Sequence, residues 1–348
     1  MDRNILIGTG ATAATPVRLD ACSGSERSAG AQAVVLGAAR ASFVESVPTA
    51  LAVVLETEGS VYAKQGSLAL FGSGRQVGWL SGGCLEPALL ASSDLAIETG
   101  ALHLLEIDHL DDSALFSGGA TGCRGRQLVA LFPLSVVACL HDTLDTWYAG
   151  SASIDLTVHA SGEIRLECGR HLSERTLPAV LPGNVQPSSC WNIRIAPPPR
   201  VLLLGAGPEA IYLSAMLNDL GWQARCREPR ASWRNRSGSV ALHASIPVSE
   251  LLTDFCPDAV LVMHHNFELD LESLQALAAS SCAFVALLGP ARRRQDLLKF
   301  VKPDFPAHLI ATLRSPVGLG LGSSGPAGIA LSICAELEAW RSERFQSR

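Results

Sequence analysis

The chain has 348 residues, 48% of them hydrophobic and 17% charged, with a net charge of −6. That length suits two domains of ordinary size, and the apolar content excludes bulk disorder. The arginines are dispersed, which excludes the basic stripe a nucleic-acid binder needs. The ten cysteines form no CxxC pair, so neither a zinc ribbon nor a thioredoxin-like site is written here. Their spacing suits a reducing cytoplasm better than a secreted disulfide framework. The longest apolar stretch, 128–140, is broken by Pro133 and Ser135 and is too short to cross a bilayer. Met1-Asp2-Arg3 opens a poor signal peptide, so a cytoplasmic protein without membrane association is expected.

Residues 1–32 are rich in Ala, Gly, Ser and Thr without periodicity and read as a flexible extension. Order is expected from Ala33, with a helix leading to the strand Leu51–Leu55 and a turn at Glu58-Gly59-Ser60. A hairpin follows, Ser67–Phe71 and Gln76–Leu80, around Gly72-Ser73-Gly74. Its second strand enters Ser81-Gly82-Gly83-Cys84-Leu85-Glu86. Pro87–Glu98 then reads as a helix that stops at Gly100. Leu102–Ile107 and Gln127–Phe132 read as strands flanking Gly122-Cys123-Arg124-Gly125. Residues 134–196 carry short strands such as Ile154–Val158 and no evident chemistry. These features describe an α+β domain over 33–196.

Pro197-Pro198-Pro199 is stiff and helix-breaking, and reads as an inter-domain linker. After it the strand Val201–Leu204 enters Gly205-Ala206-Gly207-Pro208-Glu209-Ala210 and a helix reaching about Leu220. This is the dinucleotide fingerprint of a Rossmann-like, doubly wound parallel sheet, here over 197–348. Gly205 permits the tight turn, Gly207 lets a pyrophosphate approach, and Glu228 stands near the offset of a ribose-binding acid. If this domain binds a nucleotide, that acid favours NAD over NADP. Further βα units follow at 259–279 and 283–300, then the loop from Pro316 and a helix over Ala327–Trp340.

Two thiols carry the chemistry of the first domain. Cys84 ends a glycine turn before a helix, where the helix dipole and free N–H groups favour a thiolate. Arg124 and Arg126 do the same for Cys123 by charge attraction. Two ionisable thiols in glycine loops point to a soft metal or a sulfur-bearing cofactor, although a free cysteine is more often a small buried hydrophobe. In the second domain His264 and His265 follow a sheet strand, where an acid or base for hydride transfer would stand. An NAD(P)-dependent oxidoreductase is therefore the alternative reading, although a His pair there is more often structural. The Gly205 turn, Met263-His264-His265 and the Pro316 loop are expected to line one cleft facing the cysteine domain of the same chain or of a partner copy.

Taken in order, these blocks resemble the XdhC family of xanthine dehydrogenase accessory factors over roughly 33–341. The carriers are residues 51–62, Ser81–Glu86 and Gly122–Gly125 in the first domain. In the second they are Gly205–Gly207, Glu228-Pro229-Arg230, Met263–Asn266 with Asp270, Leu287–Gly289 and Pro316–Leu319. The resemblance implies a chaperone, not an ordinary enzyme, that binds the molybdenum cofactor and hands it in sulfurated form to a client molybdenum hydroxylase. It implies a homodimer that also meets a cysteine desulfurase. The cofactor-binding residues so implied are Gly82, Gly83, Cys84, Glu86, Cys123, Arg124, Gly205, Gly207, Glu228 and His265, with Cys84 and Cys123 on the metal. The chain departs from the family pattern at Arg124, at His264 and Asn266, at Pro290-Ala291, and at Gly320, Ala327 and Gly328. The changes at Gly320, Ala327 and Gly328 remove three acids from the second domain.

Overall fold

The computed structural model describes residues 30–72, 74–108, 125–137, 140–150, 152–234 and 246–345. In the first domain, helix α1 (Gly30–Val44) precedes β1 (Ala50–Gly59), β2 (Leu68–Gly72) and β3 (Arg75–Val77). Helix α2 (Glu86–Thr99) leads to β4 (Leu102–Asp108), and β5 (Gly125–Pro133) follows. Next come α3 (Leu140–Tyr148), β6 (Ile154–His159), β7 (Glu163–Cys168), β8 (His171–Thr176), β9 (Ala179–Val180) and β10 (Cys190–Ile195).

One sheet has the order β3-β2-β1-β5-β4-β9, and a second, β10-β6-β7-β8, packs beside it. β1 is central and buried on both faces through Leu55, which is why its sequence is an unbroken apolar run. The first sheet is covered on one face by α2, through Val54, Phe71, Leu85, Leu89, Val129 and Leu131. Its other face packs on α1, α3 and the second sheet around Trp147 and Trp191. Each buried leucine there contributes about 2 kcal/mol. Helix α2 begins one residue earlier than its proline suggests and ends at Gly100, which takes φ +66° and closes the last turn on Ala96.

In the second domain β11 (Arg200–Leu204), α4 (Glu209–Asp219), β12 (Gln223–Arg227) and α5 (Ala231–Arg234) lead to α6 (Val248–Phe255), β13 (Ala259–Val262) and α7 (Phe267–Leu277). Then β14 (Phe284–Leu287), α8 (Ala291–Leu298), α9 (Ala307–Thr312) and α10 (Gly325–Phe345) complete it. The sheet is parallel, in the order β12-β11-β13-β14. Helices α4 and α10 bury one face and α6 to α9 the other, so all four strands read as apolar or mixed runs without strict alternation. The order reverses between β11 and β13, and that switch point is where such folds place ligands.

The proline run between the two domains is packed: Pro197, Pro198 and Pro199 are all buried. Trp147 donates its Nε1–H to the Ile195 and Ala196 carbonyls, at 3.2 and 2.9 Å. The first domain meets the second at the N-terminal ends of its strands. Tyr148 O accepts from Arg200 Nη2 at 3.3 Å and from Gln223 Nε2 at 2.6 Å. Gly30 presses on the end of α4, where a Cβ would stand 1.9 Å from Leu220 O.

Candidate functional site

The loop Ser81–Glu86 is held by its own side chains. Ser81 Oγ donates to Glu86 Oε2 and accepts the N–H groups of Gly83 and Leu85 at 3.0 and 3.1 Å. Glu86 Oε1 accepts from Ser81 N at 3.2 Å. Both Ser81 and Glu86 are buried, so the brace lies beneath the loop and Cys84 stands exposed above it. Glu86 and the Gly83 N–H, expected to face a ligand, are thus committed to shaping the turn. Gly83 takes φ +109°, and a Cβ on either Gly82 or Gly83 would meet none of the described residues within 4 Å. Towards the described residues the loop is open on its outer side.

Its position follows from topology. Helix α2 turns at Gly100 directly into β4 and lies along β4 and β5, so its first turn sits near the Asp108 end of β4. There Asp108 pairs with Arg126, and Gly59 pairs with Gly125. The strand ends that bracket 109–124 therefore lie at the end of the sheet where α2 begins. Cys123 and Arg124 lie outside the described residues. On this end Gln127 is buried, and its Oε1 has no hydrogen-bond partner among the described residues. The opposite face carries a polar cavity of about 430 Å³. Its carboxylates are tied in place: Glu56 to Trp191, Glu58 to Arg126, and Glu106 to Arg126 and Asn184. Among the described residues no group of three or more His, Cys, Asp or Glu side chains is placed to hold a metal ion.

Cys168, Cys226 and Cys334 are buried, unlike Cys84 and Cys190, which are exposed. Desolvation pushes Cys168 up to about 11, with Asp155 adding to it. Cys226 and Cys334 rise to about 12, again through burial first and then through Glu228 and Glu338. These remain protonated, inert packing groups. Cysteine content alone could not separate them from Cys84; the glycine context did.

The turn after β11 is built differently. Gly205 takes φ +117°, and a Cβ there would stand 2.6 Å from backbone atoms of Met263 and His264. Ala206 N–H, a donor expected to serve a pyrophosphate, instead donates to Glu228 Oε2 at 2.9 Å. Arg230 completes the shell, with its N and Nε on Oε1 and its Nη2 on Oε2, at 2.9, 2.8 and 2.8 Å. Glu228 is fully buried. Burial by itself would push the carboxyl up, but the Arg230 and Ala206 hydrogen bonds and the Arg230 charge prevail and hold it at about 2. The expected ribose acceptor is a sealed structural ion pair, and its charge no longer favours NAD over NADP.

Gly207 is covered as well. A Cβ on it would lie 2.8 Å from Glu209 Oε2 and 3.0 Å from the His265 ring. His265 adopts φ +54° and sets Nε2 3.2 Å from Glu209 Oε2, so an exposed imidazole rests on a buried carboxylate. Glu209 is the partner that sequence reasoning missed; its only signal was an acid in the first turn of α4. His264 is fully buried with Nε2 3.1 Å from Ser273 Oγ, and desolvation lowers it to about 4. It is a neutral core histidine at neutral pH. The His264 backbone N–H donates to Asp270 Oδ1, and Asp270 Oδ2 accepts from Arg293 at 2.6 Å. A dinucleotide does not fit this turn as it stands.

The structure brings the Gly205 turn, Met263 and His264 together, while the Pro316 loop ties Ser315 to Gly289 and Gly318 to Glu336. Among the described residues of one chain, the cysteine domain does not face the expected cleft. That domain contacts the opposite ends of β11 and β12.

The two halves match two related families in order. Residues 44–108 match the XdhC and CoxI family, and residues 201–337 match the XdhC Rossmann domain. The chain belongs to the XdhC family. A Bacillus subtilis (strain 168) protein, named as a probable xanthine dehydrogenase component, is 28% identical over 308 residues, covering 82% of this chain and 91% of its own. A Bacillus halodurans crystal structure described as a xanthine dehydrogenase superposes with a TM-score of 0.71 at 26% identity, over 91% of this chain and 98% of that one.

Proposed function

We propose that this protein is an accessory factor in the maturation of a xanthine dehydrogenase-class molybdenum hydroxylase, carrying the molybdenum cofactor at the Cys84 loop and passing it on in sulfurated form. The observation that carries the reading is the exposed Cys84 thiol on an open, braced glycine turn at a helix N-terminus, in a chain of the XdhC family. A thiolate suits a soft, sulfur-rich molybdenum centre, and the cofactor brings redox-active molybdenum and a phosphate. Cys84, with Cys123 and Arg124, would hold it, and Gly82 leaves room for it. One relative named as a probable xanthine dehydrogenase subunit and another described as a xanthine dehydrogenase support the client class. A cysteine desulfurase as sulfur source, a homodimer and a cytoplasmic setting belong to the same reading. Among the described residues no helix is long and apolar enough to cross a membrane.

The oxidoreductase alternative draws no support from the second domain, because its turn is filled by the chain's own groups. The test is purification from a molybdate-supplied host, followed by assay of bound molybdenum and molybdopterin. Wild type should retain both, and the Cys84→Ala and Cys123→Ala variants should lose them while staying folded. Equal retention by wild type and the double variant rejects the assignment. Turnover of an aldehyde or alcohol with NAD would restore the alternative.

A further inference from the structure

Gln127 stands two residues inside the β5 end at Gly125. It pairs across to Thr57 on β1 and Ile107 on β4. Alternation along the strand puts it on the face of Val129 and Leu131, which α2 covers. Since α2 runs back along β4 from Gly100, its first turn and the Ser81–Glu86 loop overlie this end of that face. The residue is 4% exposed, and its Oε1 has no hydrogen-bond partner among the described residues. A buried amide oxygen without a donor is costly and rare in folded chains. A site whose ligand supplies the missing donor removes that cost on binding. The loop above is open at Gly82 and Gly83 and bears an exposed thiol.

We infer that Gln127 is the specificity-determining acceptor of this site: its Oε1 takes a hydrogen bond from a ring N–H of an N-heterocyclic ligand whose soft, sulfur-bearing end lies on Cys84. The inference rests on the cofactor-carrying reading for the identity of that heterocycle. The acceptor chemistry is the chain's own, however, and it disfavours ligands that present only acceptors to the sheet, such as a free oxyanion. Selectivity follows from the asymmetry of burial: a ligand with the donor relieves an unpaired carbonyl, and one without it leaves the carbonyl unpaired.

Two arms test this. In the first, the full chain and its Gln127→Met variant are purified from a molybdate-supplied host, and retained pterin is measured per protein. Met matches the shape of Gln but accepts no comparable hydrogen bond. Retention should fall about tenfold, as for one lost hydrogen bond. The variant's denaturation midpoint without ligand should be equal or higher, because an unpaired polar atom has been removed. A lower midpoint would mean that the carbonyl serves the fold, and would overturn the inference. In the second arm, ligand-free protein is titrated with a dihydropterin lacking metal and phosphate. Wild type should bind it about tenfold more tightly than Gln127→Met. If that difference appears while purified wild type carries no molybdenum, the carriage reading falls and the Gln127 contact stands. Equal binding by both proteins, or by neither, overturns the contact.

Discussion

Two glycine turns enter helices in this molecule, and they look alike as sequence. Ser81–Glu86 opens α2 and Gly205–Glu209 opens α4, each with a buried acid in the first turn. Their surroundings are opposite. Side-chain carbons added at Gly82 or Gly83 would meet none of the described residues within 4 Å, whereas at Gly205 and Gly207 they would strike backbone and side chains within 3.0 Å. The first turn is braced from below and left open above. The second is closed by Glu228, Glu209 and His265. Glycine is required at Gly205 by close approach and at Gly83 by its positive φ, while neither requirement by itself makes a binding site.

Glu228 carries the most weight in closing the second turn. Glu228→Ala leaves Arg230 without its partner and the Ala206 N–H unpaired, and should cost about 3–5 kcal/mol in chemical denaturation. A cost below about 1 kcal/mol would mean that the turn is not sealed by this pair. Gly205→Ala should cost about 3 kcal/mol through its backbone clash and positive φ. Gly82→Ala, facing open space, should change stability by less than about 0.5 kcal/mol. Similar costs at the two glycines would erase the distinction.

Acid sharpens the same contrast. In the unfolded chain His264 regains its ordinary value near 6.5, above its folded value of about 4. The unfolded state then binds the extra proton, so stability is lost as pH falls from about 6.5 towards 4. Glu228, depressed from 4.5 to about 2, adds a second loss between those values, where the unfolded carboxylate protonates first. Unfolding midpoints measured across this range should therefore fall in two stages. In a His264→Asn variant that remains folded, the fall above pH 5 should flatten, and an unchanged profile there would mean that burial does not hold His264 neutral.

Smaller effects belong to the open loop. Ser81→Ala removes the oxygen that receives two N–H groups and should cost about 1–2 kcal/mol, with faster loss of any bound cofactor. Cys84→Ser should change stability by less than about 0.5 kcal/mol because the thiol is exposed. Cofactor retention should drop all the same. A large stability loss at Cys84 would return it to the ordinary role of a packed cysteine.

Local pattern made the architecture legible. The unbroken apolar runs of β1 and β11, Pro87 near the start of α2, Gly100 at its end and the GxGxxA turn each carry their meaning within a few residues. The domain order and the family followed from those blocks. Partner identity was not legible in the same way. Glu228 lies at the offset of a ribose-binding acid, but Arg230, only two residues on, folds back to occupy both its oxygens. His265 showed no carboxylate nearby in sequence because Glu209 lies 56 residues away. The proline run reads as a linker because stiffness is local, whereas its burial is a matter of packing.

By itself the sequence determined the elements, the two-domain α/β plan and the position of the exposed-loop thiol, since periodicity, turn chemistry and caps act over one or two turns of chain. Only the tertiary structure decided which glycine turn is open. That depends on what distant strands bring against it: Met263 and His264 against Gly205, Glu228 on Ala206, and open space beside Gly82. Occupied space and saturated hydrogen bonds are properties of packing, and packing is set by contacts remote in the chain.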